Sequence, residues 1–271
     1  MASKLAEDLR IDPRLKEVFG GLNVTATGDV ASREDLLAEE TTEAGKARAA
    51  AFAAMLNSFD NETIAPSAGL RISTERVVSD PDGNLINIQF IRPDNSARVP
   101  CVYYIHGGGM TFLTCYYGNY RAWGRMIAAN GVAVAMVDFR NAIAPSSVPE
   151  VAPFPAGLND CVSGLKWVHA NSAKLNIDPA RIIVAGESGG GNLTLATGLK
   201  LKRDGDLGLI KGLYALCPYI AGEWPQPQYP SSIENNGILI DLHNNRGAMG
   251  YGIEIRPSPL RDGRYFISRA F

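Results

Sequence analysis

The chain has 271 residues, 46% of them apolar and 20% charged, which suits one sizeable α/β domain, or one domain with a small lid, and is crowded for two. Twenty-six basic side chains against 28 acidic ones leave a formal charge of −2, so nothing in the balance favours nucleic acid or an anionic membrane as a partner. Four scattered cysteines (Cys101, Cys115, Cys161 and Cys217) form no CxxC pair, which argues against a zinc or redox motif, and no metal or cofactor is implied. The opening MASKLAEDLR alternates charge with leucine and lacks the apolar stretch of a secretory signal. No run reaches the length of a membrane span, so the expectation is a soluble cytoplasmic protein.

In chain order, the first sixty residues read as helical. Ser32 is placed to cap a helix over 33–59, Ala-rich from Ala47 to Ala54 and polar enough to lie on a surface. Two β-like runs, 72–78 and 86–91, flank the turn signal Pro81-Asp82-Gly83 and read as an antiparallel pair. Apolar runs over 99–105, 132–137, 181–185 and 210–217 then alternate with helical stretches over 120–130, from Leu158, and over 192–203. In the second of these, Leu158, Cys161, Val162, Leu165 and Val168 share one face. Strands buried on both faces and separated by helices predict a mostly parallel sheet covered on both sides. Beyond Pro218 the regularity fades, and 256–271 shows no convincing element.

The strongest chemical signal is Gly186-Glu187-Ser188-Gly189-Gly190, directly after the third apolar run and before a helix. A Gly-x-Ser-x-Gly turn in that setting throws a serine hydroxyl out at the sheet's edge, and its glycines avoid collisions with strand and helix. The competing reading is a phosphate-binding glycine loop. It fails because neither the Lys-Ser or Lys-Thr of a P-loop nor the Gly-x-Gly-x-x-Gly spacing is present. Ser188 is therefore the candidate nucleophile. His106-Gly107-Gly108-Gly109 follows the first apolar run, 82 positions before Ser188, so both loops open at the carboxyl edge of one sheet. The amides of Gly108 and Gly109, with that of Gly189, are the candidate oxyanion donors; a flexible turn is the plainer alternative. His106 reads as an anchor for this loop. Asp138 and Arg140 read as pins for the loop after the second apolar run, Asp160 as a solvated or capping carboxylate, and Trp167 and His169 as surface or packing residues. Tyr116, Tyr117 and Tyr120 suit an acyl or alcohol pocket and the aromatic core equally well. Glu187 fills the variable position of the turn, where no catalytic role is required.

Four stretches then match one family together: HGGGM at 106–110, VDFRNA at 137–142, PFPAGLNDC at 153–161 and GESGGGNL at 186–193. The chain resembles the hormone-sensitive-lipase-like branch of the α/β-hydrolases, the HGGG carboxylesterases, over about residues 70–250. Within that branch it is most similar to the brefeldin A esterase-like enzymes, through HGGGMT, MVDFRNA, GESGGGNL and PSSIENNG. The resemblance implies an α/β-hydrolase fold, with 1–65 as an N-terminal helical lid and 66–271 as the catalytic domain. It also implies hydrolysis of small esters, mostly of short to medium acyl chains, through a serine acyl-enzyme.

Such chemistry needs a general base, and in this fold the order is Ser, acid, His. Only His243 follows Ser188, in Asp241-Leu242-His243-Asn244 and ahead of any candidate acid strand, which is a poor position for the base. Ser258-Pro259-Leu260-Arg261-Asp262-Gly263 is similar to the family's acid motif but has serine at the acid position, so no acid role passes to Asp262. The catalytic acid and histidine are thus unidentified, and the chain is expected to lack the family's last two strands. Three explanations compete: a truncated product, an inactive hydrolase kept as a non-catalytic small-molecule-binding protein, and an enzyme with an unrecognised base. Without those strands, 210–217 becomes an unprotected apolar edge, which predicts self-association.

Overall fold

The computed structural model describes residues 3–21, 32–220 and 225–238. Four helices precede the first strand: α1 (Lys4–Glu7), α2 (Pro13–Phe19), α3 (Arg33–Thr41) and α4 (Glu43–Asn57). Ser32 caps α3 as expected, its hydroxyl accepting from the Asp35 amide at 3.1 Å. The single helix expected over 33–59 is instead two. Thr42 leaves helical geometry (φ −70°, ψ 154°) and its Oγ1 accepts the Gly45 amide at 2.9 Å, so a new helix is capped where the old one ends.

β1 (Leu70–Val78) and β2 (Leu85–Pro93) form the antiparallel pair, with Val78 opposite Leu85 across the Pro81-Asp82-Gly83 turn. There follow β3 (Val99–Ile105), α5 (Gly118–Ala128), β4 (Ala133–Asp138), α6 (Ala156–Ala170), α7 (Ser172–Leu175) and β5 (Ile177–Glu187). α8 (Gly189–Asp204), a 3-10 turn over Leu207–Leu209, β6 (Gly212–Leu216) and α9 (Pro230–Glu234) complete the described elements. The sheet order is β1-β2-β4-β3-β5-β6. Strands β4, β3, β5 and β6 are mutually parallel, and β2 joins them antiparallel to β4. This is the helix-covered, mostly parallel sheet that the alternation of apolar runs predicts.

Alternation along each strand divides the core between two faces. Tyr103, Ile105, Ala135 and Val137 pack with Leu158, Cys161 and Leu165 of α6 and Leu193 and Leu201 of α8. Tyr104, Val134, Met136 and Ala185 pack on the other face with Tyr120 and Ala128 of α5. Every residue of β4 is buried, as a strand with helices on both faces must be. Among the described residues β6 pairs only with β5, and Leu213, Tyr214 and Leu216 are 41%, 60% and 44% exposed.

Asp160 departs from its expectation as a solvated or capping carboxylate. It is fully buried and accepts from the Ser79 hydroxyl at 2.6 Å, the Arg140 amide at 2.9 Å and the Arg140 guanidinium at 2.8 and 2.9 Å. Its place beside Cys161 turns it toward the sheet. A charge can stay there because Arg140, which also reaches Asp82, crosses over to pair it. Cys101, Cys115 and Cys161 are buried and Cys217 is exposed, all four as free thiols. Burial pushes the Cys101 thiol up to about 12, so it behaves as a small apolar side chain. Among the described residues no helix is long and apolar enough to cross a membrane, and no group of His, Cys, Asp and Glu is arranged to hold a metal.

Candidate active site

Ser188 stands at the turn between β5 and α8 with φ 54° and ψ −119°, a conformation that costs a non-glycine residue energy unless its surroundings over-determine it. Here they do. The Ser188 amide donates to the Leu216 carbonyl at 3.0 Å, and the Ser188 carbonyl accepts from the Tyr219 amide at 2.9 Å and the Asn192 amide at 3.0 Å. Asn192 Nδ2 in turn donates to the Tyr219 carbonyl at 3.0 Å. The end of β6 and its exit loop therefore clamp the turn from one side. The side chain is only partly covered, and α8 begins at the next residue, directing its first amides and the positive end of its dipole to this edge.

The glycine loop approaches from the other side. Ile105, the last residue of β3, is in register with Gly186, which brings the 106–109 stretch alongside the serine turn. Gly108 (φ 93°), Gly109 (φ 60°) and Met110 (φ 64°) are three successive left-handed residues. The Gly108 carbonyl accepts the amides of Thr111 at 3.0 Å and Phe112 at 3.3 Å, and a Cβ on Gly108 would lie 2.2 Å from the Phe112 carbonyl oxygen. A Cβ on Gly189 would lie 2.7 Å from the Gly109 amide nitrogen and 2.8 Å from that of Met110. The loop's amides and the start of α8 thus share one small space beside Ser188.

His106 is fully buried. Its Nδ1–H donates to the Gly107 carbonyl at 2.9 Å, and its ring stacks on Phe139 with centroids 4.3 Å apart. Burial pushes its pKa down, with Asp138, 3.6 Å from Nε2, pulling the other way. This is the anchoring role expected of it. Asp138 also acts as a pin, accepting the Cys115 amide at 2.8 Å and the Ser147 amide at 2.6 Å. His169 closes α6, a helix antiparallel to the strands, and so stands toward the opposite edge of the sheet. His243 and residues 258–263 lie outside the described residues.

Of the three tyrosines, Tyr120 is buried beneath the glycine loop, Tyr116 pairs its hydroxyl with Thr74 at 2.9 Å, and Tyr117 starts α5. All three pack with the apolar cluster on the α5 face of the sheet. Sequence reasoning passed over Glu187, whose carboxylate turns under the loop to Tyr104, Tyr120 and the Gly107 amide. The available signal was its position two residues after Ala185, on the same face of a strand buried by α5.

The N-terminal helices reach the same loops. The Arg33 guanidinium donates to the Ala142 carbonyl at 2.8 and 3.1 Å, and Leu36 packs on Ala142 and Ile143. Ala142 and Ile143 in turn donate their amides to the carbonyls of Met110 and Thr111, at 3.0 and 3.2 Å. Phe52 of α4 sets its ring 6.1 Å from that of Phe112.

Comparison with known proteins finds hydrolases among those this chain is similar to. A family model described as the alpha/beta hydrolase fold matches residues 102–250. The solved structure of esterase Est22 is 64% identical, with a TM-score of 0.88 over 93% of this chain and 74% of its own. That of brefeldin A esterase, described as a bacterial homologue of human hormone-sensitive lipase, is 33% identical, with a TM-score of 0.76 over 92% of this chain and 70% of its own. Tuliposide A-converting enzyme 2 of Tulipa gesneriana, described as chloroplastic, is 29% identical over 180 residues, 62% of this chain. That match spans 44% of the tulip protein, so the chain aligns with less than half the length of this curated relative.

Proposed function

The chain belongs to the α/β-hydrolase-fold family, and on that premise we propose that it hydrolyses carboxylic esters of small molecules through a serine acyl-enzyme. The observation that carries the reading is the packing of Gly189 against the Gly109 amide beside a serine held in a strained turn. Ser188 Oγ attacks the ester carbonyl carbon. The oxygen of the tetrahedral intermediate takes hydrogen bonds from the amides of Gly108, Gly109 and Gly189, aided by the N-terminal end of α8. Collapse expels the alcohol and leaves an acyl-serine, which water cleaves by the same route in reverse. A general base must take the serine proton and return it to the leaving alcohol. Among the described residues, His106 is committed to the Gly107 carbonyl and His169 stands toward the far edge, so neither fills that role. The route needs no metal or cofactor.

Residues 1–65 act as a helical lid and 66–271 as the catalytic domain, a reading supported by the contacts of Arg33, Leu36 and Phe52 with the loops around the site. The exposed apolar side chains of β6 support self-association. Four free cysteines suit a reducing compartment such as the cytoplasm. The deciding experiment is hydrolysis of p-nitrophenyl butyrate by the chain and by Ser188→Ala. Turnover well above the variant supports the proposal; equal rates return the chain to the alternative reading, a non-catalytic small-molecule-binding protein on the same scaffold.

A further inference from the structure

We propose that Glu187 is a positioning residue that sets the oxyanion loop against the nucleophile; the proposal rests on the esterase reading of Ser188 and the 106–109 loop. Glu187 is the last residue of β5, with its backbone held opposite Leu216 of β6. Its Oε1 accepts the Gly107 amide at 2.8 Å and the Tyr120 hydroxyl at 2.7 Å, and its Oε2 accepts the Tyr104 hydroxyl at 2.5 Å. The Gly107 amide also donates to Tyr120 Oη at 3.0 Å, so the network closes on itself. One side chain, covalently next to Ser188, thereby grips the loop that carries Gly108 and Gly109.

The same carboxylate accounts for the first glycine of that loop. A Cβ at position 107 would lie 2.6 Å from Glu187 Oε1, so the acid occupies the space a side chain there would need. An ionised carboxylate only accepts hydrogen bonds, and three donors converge on this one. Burial first, and then the charge of Glu187, push both Tyr104 and Tyr120 well above the ordinary phenol value, which keeps them protonated as donors. A negative charge beside a developing oxyanion would oppose catalysis. The value of Glu187 is therefore geometric: its charge is satisfied from below by the two phenols and the Gly107 amide, and the loop is held in register with the serine.

Glu187→Ala removes all three bonds. Glu187→Gln keeps the length and one acceptor oxygen, which can still take the Gly107 amide while its NH2 turns to Tyr104. The test compares both with the wild-type chain and Ser188→Ala by p-nitrophenyl butyrate kinetics and by amide hydrogen exchange of residues 106–112. Misplacing the oxyanion donors is expected to lower kcat on the order of 100-fold in Glu187→Ala, with KM changed less than about threefold. Glu187→Gln is expected to restore roughly tenfold of that loss. The loop amides are expected to exchange about tenfold faster in Glu187→Ala, while those of β4 keep their protection. Unchanged loop exchange together with an unchanged kcat overturns the proposal, and so does loss of kcat with no change in loop exchange. If β4 also loses protection in Glu187→Ala, the alanine protein has unfolded and the same criteria apply to Glu187→Gln. Wild-type turnover no greater than that of Ser188→Ala sinks the esterase reading instead, and loop exchange alone then decides the role of Glu187.

Discussion

Gly189 and Gly109 meet so closely that a single methyl group on the first would lie 2.7 Å from the amide nitrogen of the second. The contact joins the start of α8 to the glycine loop after β3, two segments 80 positions apart in the chain. Gly189→Ala must push them apart or tilt the helix. Displacing the proposed oxyanion donors is expected to lower kcat by about 100-fold with KM nearly unchanged. Gly208→Ala, whose Cβ meets nothing within 4 Å, is the control and should leave both constants near wild type.

Asp160 and Arg140 form the ion pair under the loop after β4, with the carboxylate fully buried. Among the described residues, Asp160→Ala leaves the partly exposed Asp82 as the guanidinium's one acidic partner. Loss of one partner from a buried pair is expected to cost about 3–5 kcal/mol, read as a lower urea midpoint at constant slope. Substitution of Arg14 alone, whose pair with Asp12 is exposed, should change the midpoint little.

His106 gives a pH dependence with a defined sign. Its folded-state pKa lies below the ordinary value of 6.5 because burial penalises the imidazolium. Below pH 6.5 the unfolded chain therefore binds a proton that the folded chain resists. Its contribution to stability is complete above that pH and is lost as pH falls through the folded pKa. Urea midpoints measured downward from pH 7.5 are expected to fall more steeply for the wild-type chain than for His106→Asn, from about pH 6.5 on.

The pattern of short apolar runs separated by helices was enough to read β3, β4, β5 and their order of connection, because strands buried on both faces need no partner information to look apolar. The turn at Ser188 was legible for a local reason, since a strained strand-to-helix turn needs glycines at fixed offsets. Glu187 was not. Its meaning depends on Tyr104 and Tyr120, 83 and 67 positions away, which only the fold brings beneath the loop. Asp160 misled for the same reason: a carboxylate on a helix looks solvated until Ser79 and Arg140 arrive from other elements. The break at Thr42 was a local signal outweighed by the alanines around it, with the hydroxyl of one threonine ending α3 and starting α4.

β6 carries Leu213 and Tyr214 into solvent beside an edge that pairs with β5 alone among the described residues. Concentration-dependent association is expected in sedimentation velocity, and Leu213→Lys with Tyr214→Lys should shift the protein toward monomer. A single monomeric boundary at high concentration for the wild-type chain contradicts this.

In the proposed mechanism Ser188 is the nucleophile, held ready by its strained turn and faced by the Gly109 and Gly189 amides. The most direct measurement is mass spectrometry after exposure to a p-nitrophenyl alkylphosphonate, whose stable adduct stands in for the transient acyl-enzyme. One phosphonyl group per chain is expected, on the peptide carrying Ser188, and none on Ser188→Ala. An adduct on a different residue, or equal labelling of the alanine variant, would contradict it.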